Sequence, residues 1–579
     1  AEMVRTAKDA GLTVRGGLQC VFGCRFEGAV DPDAVVDLVK RHLDLDIDEL
    51  ALAEDEELTR DHFEARLFAA ARAAGADVVV ADHHLPGPTL PDAVVVNPNT
   101  VARVYTELER EGLIHTRPGL GVFVARPKAE LTKKVRRERL AQMVDSLLTW
   151  ARAYKVDGFR FDLMGHHGKD SIERARDALQ ALTLEHDGVD GGAVYLYGEG
   201  WNFGEVADDR RFVQATQRHM GAGSGVGTFN DRLRDAVRGG AHDDRGIDHV
   251  RGQGFVNGLY HDPNAENAGS PGERERLLHA ADLVRAGLAG NLAEYVLADR
   301  HGTRVRTADL DYNGQAAGYA SDPQETINYV AAHDNETLFD INQYKLPVAT
   351  SMDDRVRVVN LANSLVMLAQ GVPFFHAGQE LLRSKSLDRN SFDSGDWFNP
   401  LDYSYTHNGW GRGLPPAWDN EANWPVAAPL LADPALEPAT GHIRAALTHF
   451  EELLQIRMSS PLFRLRTAQA VARSLAFHNT GPDQAPGLIV MSLADESGTL
   501  VVLFNATPAE QSFAAPLPGD FALHPVQRNS AAPVVRRAAN QVDPSVGIRS
   551  TPPLDVRHHL QHVLRYGSRF IPNAVFPFA

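Results

Sequence analysis

Residues 156–167 read Val-Asp-Gly-Phe-Arg-Phe-Asp-Leu-Met-Gly-His-His. Apolar and polar side chains alternate and the run ends in charge, which is typical of a strand that delivers an acid to the mouth of a parallel barrel. Arg160 and Asp162 are two positions apart, so on a strand their side chains point to the same side. A cation beside Asp162 favours its ionised form, and an ionised carboxylate can act as a nucleophile.

Two further stretches have the same character. Residues 194–201 (VYLYGEGW) end near Glu199, and residues 327–335 (INYVAAHDN) end near Asp334. Three carboxylates at three strand ends of an α/β chain predict glycoside chemistry. One acid is the nucleophile, one is a general acid of raised pKa, and one stabilises positive charge on the sugar. The alternative is three unrelated surface acids at strand ends.

Six stretches carry a resemblance to a known family. They are GFRFDLMGHH at 158–167, YGEGW at 197–201, HDN at 333–335, GVPFFHAGQE at 371–380, LRSKS at 382–386 and SGDWFN at 394–399. The first four resemble the retaining α-amylase superfamily, and the last two are similar to its pullulanase branch. The resemblance runs from about residue 143 to about residue 537. It implies a TIM-type (β/α)8 barrel with a C-terminal β-sandwich, and hydrolysis of α-1,6-glucosidic links in pullulan and branched α-glucans.

The resemblance also implies roles for single residues. Asp162 attacks the anomeric carbon, Glu199 protonates the leaving oxygen and then activates water, and Asp334 stabilises the oxocarbenium-like state. The side chains implied in substrate binding are Arg160, His166, Trp201, His333 and Asn335. For His166, Trp201 and His333 the alternative is packing at a strand end. The chemistry requires no cofactor and assigns no metal ligands, and the resemblance allows a structural calcium ion.

The matched motifs correspond to barrel strands four to eight, whereas the family's motifs for strands one to three are missing. Residues 77–83 (DVVVADH) contain a strand, an opening acid and a histidine, so they are a candidate for the third strand. An open five-stranded parallel sheet would leave an edge and apolar faces uncovered. The sequence therefore predicts a barrel that is incomplete or that has foreign first strands.

The predicted domains are a mosaic N-terminal region (1–142), the catalytic barrel (143–458), the β-sandwich (459–537) and a divergent tail (538–579). Within the first, residues 2–40 resemble a piece of hydroxymethylglutaryl-CoA lyase, 70–98 the DHH motif of RecJ-like phosphoesterases, and 96–142 the recognition helix and wing of GntR-type regulators. Neighbouring pieces share their junction residues. This pattern suggests a mosaic of artificial or computational origin.

The remaining secondary structure follows from periodicity and capping signals. Helices are predicted over 33–40, between Asn99 and Gly112, and over 143–154, 274–297, 355–370 and 440–458. Strands are predicted over 74–80, 373–376, 470–478, 487–493, 500–504, 511–513 and 570–579, with a hairpin over 114–124. His558, His559 and His562 have helical spacing, and a surface helix is a better interpretation of them than a metal site.

Composition limits the possible partners. The 579 residues carry a net charge of −18, which argues against general nucleic-acid binding and suits a neutral glucan. No stretch is apolar enough to predict a membrane span. Cys20 and Cys24 cannot form a disulfide framework, and two packed thiols are a better interpretation than a ligand pair. The first residues form no signal-peptide pattern, so we expect a cytoplasmic protein; secretion stays open if this N-terminus is not native.

Three functional hypotheses follow. The first is a debranching hydrolase, which the three carboxylates support. The second is a catalytically inactive chimera or glucan-binding remnant, which the missing barrel strands support. The third is a GntR-like DNA-binding regulator, which rests on residues 100–124 and the basic segment 126–139. The oligomeric state has no signal in the sequence.

Overall fold

A computed structural model covers the 579-residue chain. It describes residues 129–509, 511–513 and 521–537. It also describes eight strands outside these ranges: 15–18, 49–52, 78–80, 114–117, 121–124, 542–543, 547–550 and 560–566. The chain divides into two compact units, Ala1–Lys128 and Ala129–Ala579.

The described part of the N-terminal unit consists of strands. Arg15–Leu18, Glu49–Leu52 and Val78–Val80 form a three-stranded parallel sheet in that order. Ile114–Arg117 and Gly121–Val124 pair as an antiparallel hairpin, which confirms the hairpin predicted over 114–124. The helices predicted over 33–40 and after Asn99, the two cysteines and the histidines of the DHH motif lie outside the described residues.

The second unit is an α/β structure with a five-stranded parallel sheet near its start. In spatial order the strands are Gly158–Phe161, Tyr195–Gly198, Gly227–Phe229, Thr326–Asn328 and Val372–Pro373. Spatial order equals chain order, as in a sheet built from successive βα repeats. Because all strands run in parallel, the residues that follow each one meet at the same edge of the sheet.

Helices lie before, between and after these strands in the chain. They are Ala129–Tyr154, Lys169–Gln180, Leu184–Asp187, Gln217–Met220, Asp231–Arg238, Ile247–Arg251, Pro271–Leu288, Leu338–Lys345, Met352–Met367, Gly395–Phe398, Ala417–Asn420, Trp424–Leu431, Thr440–Met458, Ala468–Ser474, Pro525–Arg528 and Pro533–Arg537. The helix predicted over 440–458 is confirmed. Those predicted over 143–154 and 355–370 are also present, the first beginning earlier and the second shifted by three residues.

Two antiparallel sheets lie towards the C-terminus. The larger has the order Leu475–Phe477, Leu488–Asp495, Gly498–Asn505, Leu560–Tyr566, Ala522–Leu523. The smaller has the order Gln511–Phe513, Gly547–Ser550, Val542–Asp543. Two short hairpins, Val296–Ala298 with Arg304–Arg306 and Asp311–Tyr312 with Gln315–Ala316, form separate two-stranded sheets. The predicted strands 487–493, 500–504 and 511–513 are confirmed.

One hydrophobic core joins the helices to the larger antiparallel sheet. Its buried members come from both parts, including Leu233, Phe339, Leu365, Ile456, Ile489 and Phe504. Such continuity makes the sheet a support for these helices, since interiors of this kind are close-packed and transmit strain. No helix in the described ranges has both the length and the apolar character needed to cross a bilayer.

Three predicted elements differ from the structure. The helix predicted over 274–297 is Pro271–Leu288, because Gly290 takes φ 77° just after it, and Leu297 lies in a strand. The strand predicted over 470–478 begins as the helix Ala468–Ser474, because Thr467 caps an alanine-rich run that favours a helix. The predicted last strand, 373–376, is Val372–Pro373.

The helix predicted around the C-terminal histidines is wrong. His562 lies in the strand Leu560–Tyr566, opposite Leu503 of a neighbouring strand. Helical spacing of three side chains is a local signal, whereas this strand is stabilised by pairing with a segment about 60 residues earlier in the chain. The predicted strand over 570–579 lies outside the described residues.

Candidate active site

The carboxyl-end edge of the parallel sheet brings the three predicted acids together. Asp162 follows the strand Gly158–Phe161, Glu199 follows Tyr195–Gly198, and Asp334 lies six residues beyond Thr326–Asn328. The first two strands pair in parallel with Phe161 opposite Gly198, so the residues after them are adjacent. The separate stretches of sequence therefore converge at one place.

Arg160 links the acids. Its Nη1 donates to Oδ1 of Asp162, and its Nη2 donates to Oε1 of Glu199 at 2.6 Å. The same Nη2 lies 3.4 Å from Nδ1 of His333. The sequence argument that Arg160 and Asp162 share one side of the strand is confirmed by this contact. One guanidinium thus neutralises part of the negative charge that two adjacent carboxylates create.

Glu199 is the most enclosed of the three acids, with 4% of its surface exposed. Its Oε2 accepts a hydrogen bond from the backbone N–H of Leu163 at 2.9 Å. Burial raises the pKa of the Glu199 carboxyl, while the Leu163 N–H and Arg160 act in the opposite direction. The neighbouring charges of Asp162 and Asp334 raise this pKa further. A raised pKa favours the protonated form of this carboxyl, which is the form that a general acid needs.

The side chains of the other two acids are exposed. The Asp162 side chain is 58% exposed, and that of Asp334 is 54% exposed. His333 Nε2 lies between them, 3.5 Å from an oxygen of each. These distances are too long for strong hydrogen bonds, so the carboxylates remain available to a ligand.

A tight contact between two strand ends fixes this geometry. Leu163 takes φ 48°, and the chain then turns through Met164–His166. The N–H of Gly165 donates to the carbonyl of Glu199 at 2.8 Å. A Cβ at Gly165 would lie 2.0 Å from the carbonyl oxygen of Trp201, so a larger residue there would push the two strand ends apart.

Asp162, Glu199 and His333 also form a group that could ligate a metal ion. One potential ligand atom from each lies within 4.8 Å of the others. However, Arg160 donates to both carboxylates of this group. A divalent cation would have to displace that guanidinium or accept its repulsion, so we interpret the group as a charge-paired cluster of side chains.

A cleft of about 1030 Å³ opens beside the cluster. Of the predicted residues, Glu199, Trp201, Asp334 and Asn335 line it. Its other wall includes Gln217, Arg232, Arg234, His242 and Tyr319. Several of these arise from the segment FNDRLRDA (229–236), which is a strand end and the helix after it. The cleft has the size and the mixed polar and aromatic lining of a ligand site.

The side chains of two predicted residues, His166 and Asn335, contact partners other than the three acids. The His166 ring packs against Phe203, with ring centroids 4.6 Å apart, rather than against the carboxylates. Asn335 is 8% exposed, and its side-chain nitrogen donates to the carbonyl of His242 at 3.0 Å. The structure thus brings Arg160, Asp162, Glu199, His333 and Asp334 into contact, places Trp201 and Asn335 on the cleft wall, and places His166 behind Phe203.

Sequence reasoning missed three contributors. The Leu163 N–H has no signal in side-chain identity, because any residue could donate it. Lys385 and Asn390 contact the backbone of Asn335, yet they lie some 50 residues further along the chain. In the sequence, the stretch 382–386 carried only the family resemblance. Its contact with the backbone of Asn335 arises from the tertiary structure.

Comparison with known proteins shows which family the chain resembles. Residues 405–554 match the family described as alpha-1,6-glucosidases, pullulanase-type, C-terminal. The chain is 50% identical over 411 residues to Pullulanase 1, chloroplastic, of Arabidopsis thaliana, which covers 68% of this chain and 42% of that protein. It is 42% identical over 353 residues to the pullulanase of Klebsiella aerogenes, covering 61% of this chain and 31% of that one. The chain therefore spans less than half the length of these curated relatives.

Two solved structures of PulA proteins are also similar to this chain. The maltotriose complex of PulA from Klebsiella pneumoniae superposes with a TM-score of 0.66 at 37% identity, covering 74% of this chain and 45% of that one. PulA from Klebsiella oxytoca gives a TM-score of 0.67 at 32% identity, covering 89% and 47%. Over the matched region this chain is therefore a homologue of the pullulanases, within the α-amylase superfamily.

Proposed function

We propose that the chain is a retaining glycoside hydrolase that cleaves α-1,6-glucosidic links in pullulan and branched α-glucans. One observation carries the proposal: oxygens of Asp162 and Glu199 lie within 4.8 Å of each other, and Glu199 is buried with a raised pKa. Retaining enzymes hold their two carboxyl groups about 5–5.5 Å apart, whereas inverting enzymes need a wider gap to admit water.

The roles follow from exposure and charge. Asp162 is exposed and paired with Arg160, which suits a nucleophile. Glu199 protonates the leaving 6-oxygen and afterwards takes a proton from the attacking water. Asp334 faces the cleft without a strong hydrogen-bond partner in the described part of the chain, so its charge is free to stabilise the oxocarbenium-like state.

The remaining site residues bind the sugar. Trp201 presents an aromatic face on the cleft wall, and His333 lies between the two exposed acids, where it can reach sugar hydroxyls. His166 contributes by supporting Phe203, which also lines the cleft. The α-glucan assignment is supported by the homologue whose structure was solved with maltotriose.

We infer that the five parallel strands correspond to strands four to eight of a TIM-type barrel, and that the two C-terminal antiparallel sheets form a β-sandwich. In such a barrel consecutive strands are neighbours, which is the order of this sheet. Catalytic residues of barrels lie at the carboxyl ends of several strands, as the three acids do here.

Purified protein should be incubated with pullulan beside an Asp162→Asn variant. Reducing ends from the parent and none from the variant would support the proposal. NMR of the first product anomer, before mutarotation, tests retention directly. Because Arg160 supplies the positive charge between the acids, we expect turnover to survive treatment with EDTA. A loss of activity that calcium restores would instead indicate a structural calcium ion.

A second candidate is a glucan-binding protein that does not turn over its ligand. It is favoured by the sheet itself, in which Gly158–Phe161 and Val372–Pro373 are the outer strands of the described five. In a closed eight-stranded barrel, the three strands that precede Gly158–Phe161 in the chain would lie between these two outer strands and complete the ring. Binding of maltotriose by calorimetry without release of reducing ends from pullulan would favour this candidate.

A further inference from the structure

Asn335, the residue after Asp334, has an uncommon backbone conformation. Its φ is 61°, in the left-handed region that asparagine tolerates better than most side chains. Both of its backbone polar groups are bound by side chains from one distant segment. Its N–H donates to Oδ1 of Asn390 at 2.9 Å, and its carbonyl accepts a hydrogen bond from Nζ of Lys385 at 2.8 Å.

These two contacts act on the direction of Asp334. The N–H of Asn335 belongs to the peptide unit that begins at the Asp334 carbonyl, so the Asn390 contact restricts ψ of Asp334. The Lys385 contact restricts the next peptide unit in the same way. The Asp334 carboxylate is itself exposed and lies 3.5 Å from its His333 neighbour, so its side chain has little direct support. Its direction therefore depends on the backbone that carries it.

The two clamping side chains are themselves held. Lys385 is 1% exposed, and its backbone N–H donates to Oδ2 of Asp340 at 2.7 Å. Asn390 donates from Nδ2 to Oδ2 of Asp419 at 2.7 Å. Asp419 also accepts hydrogen bonds from Arg245 and Arg389. A buried ammonium is costly unless it is well paired, and here it is paired with backbone carbonyls at the edge of the site.

We propose that Lys385 and Asn390 are positioning residues that clamp Asn335 from both ends and thereby aim the Asp334 carboxylate at the reacting sugar. The expected change in kcat rests on the proposed hydrolase function. The clamp itself is a statement about where Asp334 points.

Asn390→Ala and Lys385→Met each remove one side of the clamp. A misplacement of about 1 Å at a catalytic group can cost about 100-fold in rate, so we expect kcat on pullulan to fall roughly 10- to 100-fold while KM changes less than about threefold. Ser391→Ala is the matched control, because Ser391 lies in the same segment and donates to Asn399 instead.

A double-mutant cycle separates positioning from general stability. If Asn390 acts through Asp334, adding Asn390→Ala to Asp334→Asn should change kcat little further. The clamp would be overturned if the losses in kcat multiplied fully in the double variant. It would also be overturned if kcat stayed unchanged in both Asn390→Ala and Lys385→Met. Crystal structures of Asn390→Ala and the parent decide the same point without any turnover, since the Asp334 carboxylate should rotate in the variant. An unmoved Asp334 overturns the clamp, whereas an inactive parent overturns only the proposed hydrolase function.

Discussion

Arg160 donates to Glu199 at 2.6 Å from the same guanidinium that bonds Asp162, so one cation serves both the proposed nucleophile and the proposed acid. The two carboxyl groups need opposite protonation states. Burial raises the pKa of the Glu199 carboxyl, whereas Asp162 is exposed and bonded to the guanidinium. The distribution of tasks between two similar side chains is thus a consequence of their surroundings.

Replacement of Arg160 by Met should lower kcat and move the alkaline limb of the pH–rate profile upwards. Arg160 lowers the pKa of Glu199, so its loss raises that pKa, and the acid then stays protonated to higher pH. The measurement is kcat/KM on pullulan against pH. Arg152→Met is the control, because Arg152 pairs with Asp187 and lies outside the catalytic cluster. An alkaline limb that stays in place or moves down would contradict the assignment.

Replacement of Glu199 by Gln should reduce pullulan hydrolysis by about 10²- to 10⁴-fold, the usual contribution of general acid–base catalysis. With an α-glucosyl fluoride, whose leaving group needs no proton, added azide should restore turnover and yield a glycosyl azide. The exposed Glu205→Gln variant in the neighbouring loop controls for loss of one negative charge. Failure of azide to restore turnover would argue against Glu199 as the acid and base.

Replacement of Trp201 by Ala should raise KM for pullulan about tenfold, which corresponds to about 1.4 kcal/mol of lost contact, with a smaller effect on kcat. Trp201 lines the cleft and packs against the aromatic cluster around Phe229. Trp150→Ala, on the exposed face of the helix Ala129–Tyr154, is the matched control. Initial rates over a range of pullulan concentrations separate KM from kcat, and equal KM values for both variants would remove Trp201 from the binding site.

Replacement of Arg285 by Met should lower the free energy of unfolding by about 3–5 kcal/mol, as expected when one partner of a buried ion pair is removed. Arg285 is fully buried and donates to Asp282 at 2.7 Å, to the Asn479 carbonyl at 2.7 Å and to Gln484 at 2.6 Å. It thereby joins the helix Pro271–Leu288 to the loop before the strand Leu488–Asp495.

Urea denaturation at neutral pH measures this effect. The exposed Arg306, which pairs with Asp309 and Glu294, provides the comparison, because exposed ion pairs contribute little to stability. Equal losses for Arg285→Met and Arg306→Met would show that the buried contact has no special weight.

Much of the site follows from the sequence because its signals are local. Alternation places Arg160 and Asp162 on one side of a strand, and parallel strands deliver their following residues to one edge of a sheet. The bounds of the helix Thr440–Met458 were also predicted correctly. These features depend on neighbours within a few residues.

The features that local sequence signals did not predict depend on the tertiary structure. The strand that contains His562 exists because it pairs with Gly498–Asn505, and local spacing favoured a helix instead. Asn335 has amide chemistry that suits a sugar, yet in the fold its backbone is bound by Lys385 and Asn390. The sequence by itself determined which acids are present and on which strands. The burial that raises the pKa of Glu199, and the contacts that aim Asp334, arise between segments far apart in the chain, where no local pattern can encode a distance.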